Sequence, residues 1–219
     1  MSHQVSELAR KTRREYGQHG LNENMVAASP IIQFESWFSE AVKAEHDDPS
    51  AMVLSTVDSS GRPDSRVVLL KGIESDSFVF YTNYNSIKAQ EFSVMPHVAL
   101  NFYWSKLARQ IRVRGEVSRV SDTVSDEYFA SRPRMSQLSA LASFQSEVIP
   151  NREVLEARLH ALAIKYPENT PINRPSFWGG FSVRPVEIEF WQGRDNRLHD
   201  RIHYQKGSNN QWAITRLSP

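Results

Sequence analysis

Apolar positions along this chain follow first a helical and then a strand rhythm. The stretch QFESWFSEAVKAEH repeats at three and four residues, setting Phe34, Trp37, Phe38, Ala41 and Val42 on one face of a predicted helix. From Ala51 the period drops to two. AMVLSTV, SRVVLLK and SFVFYTN, separated by turn residues such as DSSGRPD, predict an antiparallel meander. A short helix around SIKAQEFSVM precedes the strands VALNFYW and ARQIRVRGEVSRV. The latter alternates Gln110, Arg112 and Arg114 with Ile111, Val113 and Val117, so one face is buried and the other polar.

Two helices are expected next, in DTVSDEYFAS and NREVLEARLHALAIKY, the second with Leu155, Leu159, Leu162, Ala163 and Tyr166 on one stripe. Between them RPRMSQLSALASFQSE reads as irregular and polar. FSVRPVEIEFWQ, LHDRIHYQK and QWAITRL return to the strand rhythm. About six or seven strands with helices inserted late predict a mostly β (α+β) fold, a small closed or half-closed barrel flanked by helices. Residues 1–30 are polar and weakly periodic and are expected to form a mobile arm, with 31–219 as a single domain.

The 219 residues include no cysteine, which excludes disulfides, thiolate nucleophiles and Cys-ligated metal; redox chemistry would need a bound cofactor. Lys plus Arg number 26 against 25 Asp plus Glu, so a net charge of +1 gives no general attraction to nucleic acid or membrane. No signal peptide and no run of 18 apolar residues occurs, and a cytoplasmic protein is expected. Walker and dinucleotide loops, the G-x-S-x-G elbow and paired zinc-type His spacing are absent, and no metal site is expected.

What remains are cations and hydroxyls at strand ends. Arg66 and Lys71 lie five apart, which in a regular strand turns them to opposite sides. Thr82, Ser86 and Lys88 sit at a strand-to-helix junction, where hydroxyls, a cation and free N–H groups suit a phosphate or cap a helix. Tyr128, Arg132 and Ser136 recur every four residues, although Pro133 opposes one continuous helix through them. Near the C-terminus, WQGRDNRLHDRIHY extends as a strand with Arg197, His199, Arg201 and His203 on one face. Leu198, Asp200, Ile202 and Tyr204 take the other, where Leu198 and Ile202 hold the strand to the core.

In that order, RVVLLK, YTN followed by SxKA, RQIRV, YFASRPRxSQ, PSFWGGF and FWQGxxxRLHDR closely resemble the pyridoxine/pyridoxamine 5′-phosphate oxidases, from about Asp48 to Pro219, with a weaker echo in RREY. The resemblance implies an antiparallel split β-barrel homodimer with FMN at each interface site. It also implies oxidation of pyridoxine or pyridoxamine 5′-phosphate to pyridoxal 5′-phosphate, with O2 reduced to hydrogen peroxide. By the same resemblance, FMN is bordered by the strand Arg66, Val67, Val68, Leu69, Leu70 and Lys71, with Arg66 directed at the FMN phosphate. Tyr81, Thr82, Ser86, Lys88 and Gln110 are further contacts, and Gln145, Ser146, Trp191 and Arg201 complete the flavin site across the dimer.

The substrate phosphate is expected at Lys71, Tyr128, Arg132 and Ser136, with Arg197, Leu198 and His199 at the pyridine ring. Arg197 and His199 are the implied catalytic pair, and Arg13, Arg14, Glu15 and Tyr16 resemble a lid over the substrate. One departure stands out: the family commonly has a second basic residue before the Lys of SxKA, and here that residue is Ile87, which predicts weaker retention of FMN. Two other classes stay open. One is a split-barrel flavoprotein without this activity, which would not be expected to carry both RPRxS and RLHDR. The other is a nucleic-acid binder built on RQIRVRGEVSR, which the balanced charge opposes.

Overall fold

A computed structural model describes residues 15–17, 19–44 and 48–219. Helices are α1 Pro30–Lys43, α2 Ile87–Val94, α3 Asp122–Ser131, α4 Arg134–Ala142 and α5 Glu153–Lys165. The strands are β1 Ala51–Val57, β2 Pro63–Leu69, β3 Gly72–Glu74, β4 Ser77–Asn83, β5 His97–Trp104, β6 Arg109–Arg119, β7 Trp178–Gln192, β8 Asp200–Lys206 and β9 Trp212–Arg216. The nine strands among the described residues exceed the expected number, partly because three-residue β3 is too short to show a period.

The chain divides into two compact units. The larger comprises Ser50–Asn101 and Val113–Val186; the smaller comprises the described residues up to Pro49, Phe102–Arg112 and Glu187–Pro219. Strands of the larger unit follow the order β2-β1-β5-β6-β7-β4-β3. β1 and β2 form a hairpin in register from Ala51 opposite Leu69 to Val57 opposite Pro63. Its turn is closed by the Asp58 carboxylate, which accepts the Ser60 and Arg62 N–H groups, with Gly61 at φ +85°.

Leu69 ends β2, and the chain then changes partner across one peptide: Leu70 N–H donates to Ser50 O, while Lys71 N–H donates to Val79 O of β4. This handover breaks the two-residue period. Arg66 and Lys71, which the spacing of a regular strand sets on opposite sides, both line one cavity of the larger unit.

Helices α3, α4 and α5 cover a cluster of Phe129, Leu138, Ile172 and Trp178, against which Leu159, Leu162 and Tyr166 pack. Burying side chains of this kind contributes about 1.5–3 kcal/mol each. Ala163, expected on the same stripe, is exposed. The segment read as irregular contains α4. Its apolar period is masked by Gln137, a buried polar residue whose amide donates to Phe129 O, Ala130 O and Arg132 O and so caps the end of α3. Pro133 separates the two helices and N-caps the second.

In the smaller unit α1 begins at Pro30, three residues earlier than the apolar period implies, because proline is preset for the first helical position. It buries Phe34, Trp37 and Ala41, whereas Val42 is 51% exposed rather than part of the packed face. Phe34 meets Phe102 at 5.0 Å, Trp37 meets Phe190 at 5.3 Å, and Phe190 meets Tyr204 at 5.5 Å between ring centres. β7 pairs β8, with Trp191 opposite Arg201, and β8 pairs β9.

Asp200, Ile202 and Tyr204 are buried and alternate with half-exposed Arg201 and His203, so the expected two faces hold from Asp200 onward. They do not extend back to Arg197. Asp195–Arg197 form a short 3-10 turn in which Asn196 and Arg197 take left-handed backbones at φ 58° and 60°. Leu198 is 70% exposed and does not hold the strand to the core.

Candidate functional site

The larger unit contains a cavity of about 460 Å³. Its walls are Arg66 to Leu69 and Lys71 from β2 and its exit, Tyr81 and Thr82 of β4, Lys88 of α2, Tyr128, Arg132, Gln145, Ser146 and Trp178. Of the larger-unit residues implied by the resemblance, Ser86, Leu70 and Ser136 do not border it. Ser86 is fully buried and its hydroxyl donates to Asn83 O, Leu70 is buried, and Ser136 lies in the first turn of α4.

One side of the cavity is aromatic. Tyr81 stacks on Tyr128 at 3.8 Å and on Trp178 at 5.5 Å, nearly parallel to both. Gly180 makes this possible: a Cβ there would sit 2.8 Å from Tyr81 Cε1 and 2.6 Å from Val120 Cγ2. Burial, then the neighbouring Glu74 carboxylate and Tyr128 phenol, pushes the Tyr81 hydroxyl up to about 12, so it stays a neutral donor.

Arg132 stands over Trp178 at 4.6 Å, held by its face. Its Nη1 is buried and has no hydrogen-bond partner among the described residues, and burial lowers its pKa. An unpartnered buried guanidinium nitrogen costs free energy that an incoming anion would recover. Lys88 is a second such cation, 8% exposed. Among the described residues its Nζ reaches neutral oxygens alone, Gln145 Oε1 at 3.3 Å and Thr82 Oγ1 at 3.5 Å. Burial, and then the charge of Arg66, lowers its pKa. Gln145 and Ser146 thus line the cavity of their own chain, and Ser146, at φ 77°, accepts the Ile87 N–H at the start of α2.

Arg66 behaves differently. Its Nη2 donates to Asp64 Oδ2 at 2.6 Å and to Glu91 Oε2 at 3.1 Å, while its Nη1 donates to Thr56 Oγ1 and to Leu54 O at 3.3 Å. Lys71 is exposed, with no side-chain partner among the described residues.

The remaining candidates belong to the smaller unit. Trp191 lies 4.7 Å from the His199 ring, and Tyr16 meets both edge-on at 5.6 Å. Tyr16 fits against backbone because residue 193 is glycine; a Cβ there would be 2.7 Å from Tyr16 Cγ. Gly17 N–H donates to Asp195 Oδ1 at 2.7 Å, securing this end of the N-terminal segment. Glu15 is exposed, and Arg13 and Arg14 lie outside the described residues.

His199 Nδ1 accepts the Arg194 N–H at 3.0 Å, which assigns the proton of the neutral ring to Nε2. Arg201 is clamped by Glu189 through Nε–Oε1 at 2.7 Å and Nη2–Oε2 at 3.0 Å, and Arg112 adds a bond to the same carboxylate. Gln110 is half-buried on β6. Arg197 is exposed, and its guanidinium has no partner among the described residues.

Sequence reasoning assigned no role to Trp178, Glu91, Glu189 or Gly193. The signal for Trp178 and Gly193 was present in PSFWGGF and FWQG. The carboxylates gave none, since their cation partners are distant in sequence.

Two chemistries are joined in the cavity: aromatic faces for a flat ring, and two partly desolvated cations for anions. Residues 38–166 match the family described as pyridoxamine 5′-phosphate oxidase, and residues 178–219 match a pyridoxine 5′-phosphate oxidase C-terminal dimerisation region. The pyridoxine/pyridoxamine 5′-phosphate oxidase of Legionella pneumophila strain Paris is 53% identical, over 94% of this chain and 95% of its own. That of Acaryochloris marina is 52% identical, over 94% of each.

Among solved structures, PhzG from Burkholderia lata, in complex with tetrahydrophenazine-1-carboxylic acid, superposes with a TM-score of 0.87 at 27% identity, covering 93% of this chain and all of its own. A pyridoxamine 5′-phosphate oxidase-related FMN-binding protein from Nostoc punctiforme has the same fold, with a TM-score of 0.72 at 16% identity, over 89% of this chain and 100% of that one. These likenesses bear out the expected fold class, an antiparallel split barrel with flanking helices. By the extent of the match and by its identity to these oxidases, the chain belongs to the pyridoxamine 5′-phosphate oxidase family.

Proposed function

We propose that the protein is an FMN-dependent oxidase that converts pyridoxine 5′-phosphate and pyridoxamine 5′-phosphate to pyridoxal 5′-phosphate. Support comes from the oxidases at 50–53% identity and, within the structure, from one observation above the others: a single cavity carries two separate cations, Lys88 and Arg132, that have no carboxylate partner within ion-pair distance among the described residues. Two phosphorylated ligands require two such seats.

The residues present fit FMN. Lys88 would hold its phosphate, with Thr82, Gln145 and Ser146 as neutral partners. When bound, FMN supplies the two-electron acceptor, so that the C4′ carbon–hydrogen bond is oxidised and O2 ends as hydrogen peroxide.

The chain's own part is to bind and orient. Arg132 would take the substrate 5′-phosphate, a charge-assisted bond worth about 1.5–3 kcal/mol, with Tyr128 and Lys71 beside it. Arg197, planar and always charged, would lie at the pyridine ring and favour negative charge on its phenolic oxygen. His199, its tautomer fixed by the Arg194 N–H, would present a donor to orient the substrate. Tyr16 and the preceding arginines would close over bound substrate as a lid.

The match of residues 178–219 to a dimerisation region supports a homodimer, and we place FMN at its interface, with Trp191 and Arg201 as contacts. Among the described residues no helix is long and apolar enough to cross a membrane.

The test is direct: the purified protein should show flavin absorbance, and added pyridoxine 5′-phosphate should yield hydrogen peroxide and the aldehyde in equal amounts. Flavin without turnover would leave a binding protein, and absence of flavin uptake would overturn the proposal.

A further inference from the structure

An arginine can be fixed beside a cavity in two ways. Carboxylates hold it firmly but occupy its N–H groups and offset its charge, whereas the face of an aromatic ring holds it and leaves every donor free. Both occur around one tryptophan of the larger unit. Arg174 is gripped by Asp126 at 2.6 Å and Asp122 at 2.7 Å, and its Nη1 donates to Trp178 O at 2.7 Å. Arg132 makes no side-chain hydrogen bond or ion pair among the described residues. What it has are rings: its guanidinium carbon lies 4.6 Å from the centre of Trp178 and 5.7 Å from that of Phe129.

The indole is itself held in place. Trp178 opens β7 opposite Asn83, and its ring plane is 5° from that of Tyr128 and 14° from that of Tyr81. Phe129 meets it edge-on at 5.3 Å. Trp178 is 7% exposed, yet it borders the cavity. An aliphatic side chain could fill much of that volume but would offer a cation no face.

We propose that Trp178 is a positioning residue for the substrate phosphate: its face sets the Arg132 guanidinium at the cavity wall without occupying a donor. The inference rests on the reading of Arg132 as the partner of that phosphate.

The FMN-loaded full-length protein is assayed with pyridoxine 5′-phosphate, with inorganic phosphate added as a competitor. Trp178→Leu should raise KM about 10- to 30-fold and weaken inhibition by inorganic phosphate by a similar factor, with kcat within about twofold of the parent. Trp178→Phe, which keeps a flat face with a weaker field, should raise KM about two- to fivefold. In the Arg132→Ala background Trp178→Leu should change KM by less than about twofold, because no guanidinium is left to place. A Trp178 that serves packing alone would lower kcat, leave phosphate inhibition intact, or add its full loss to that of Arg132→Ala. Any of those results overturns the proposal while leaving the phosphate seat standing. If Trp178→Leu fails to fold, Trp178→Phe decides, and an unchanged KM there overturns it. Should Arg132→Ala match the parent in KM and in phosphate inhibition, the seat and the proposal fall together.

Discussion

The smaller unit and the cavity of the larger unit treat their cations in opposite ways. In the smaller unit Arg201 and Arg112 are held by Glu189, and Arg194 and Arg216 by Asp200, with Glu23 also on Arg216. Burial would raise the pKa of Asp200, but the Leu21 N–H and these two arginines outweigh it and hold the carboxyl below its ordinary range. In the cavity of the larger unit Lys88 and Arg132 make no ion pair among the described residues, and burial lowers the pKa of both. Counting cations therefore does not locate a site. What distinguishes the cavity is positive charge that the protein has not neutralised, with Arg66 the exception on one side and Arg197 on the other.

If this contrast is right, damage in the smaller unit should appear as lost stability and damage in the cavity as lost affinity. The largest effect is expected from Glu189→Ala, which strands two arginines beside a buried position. Chemical denaturation should show a loss of about 3–5 kcal/mol. Arg132→Ala should raise KM for pyridoxine 5′-phosphate about 10- to 100-fold, with a melting temperature close to that of the parent; a large drop in melting temperature would make Arg132 a structural residue.

Lys88→Met should weaken FMN by a similar factor while raising the stability of the flavin-free protein, because an unpaired buried cation is replaced by an apolar chain. Its pH behaviour sharpens the point. Since the free Lys88 pKa lies below its ordinary 10.5, FMN affinity should be full below that lowered value and decline as pH rises through it, and Lys88→Met should abolish this decline.

Arg197→Ala tests the exposed exception. It should lower kcat/KM at least about tenfold without changing the melting curve; an effect no larger than that of a remote surface change would remove Arg197 from the site. The smallest shift is expected from Ile87→Arg, which places a charge at an exposed helix start and should tighten FMN about two- to fivefold. Equal affinity in variant and parent would refute the reading of Ile87 as a lost contact.

Where local pattern and tertiary demand agree, the sequence was readable. β1, β4 and α3 occupy AMVLSTV, SFVFYTN and DTVSDEYFAS residue for residue. It failed where one residue serves another element: Gln137 spends its amide on the end of α3, and so hid α4 inside a polar-looking run. Period also failed where the backbone leaves a strand, at Leu70 after β2 and at the left-handed Asn196 and Arg197 before β8. Asn196 was the available cue, since asparagine tolerates that conformation best.

The family motifs located the cavity cations. They could not show that Arg66 is already engaged, because Glu91 lies 25 positions away and meets it only in the folded chain.

The change of partner between Leu70 and Lys71 also bears on how the protein tolerates altered length. The Asp58–Arg62 turn ends a free hairpin, so residues added there would extend into solvent with both strands still in register. One residue added at Leu70 has no such outlet. It would slide Lys71 off Val79 or pull Leu69 off Ala51, breaking the register of that wall against one of its two neighbours. Among natural relatives, insertions and deletions should accumulate in the first place and be excluded from the second.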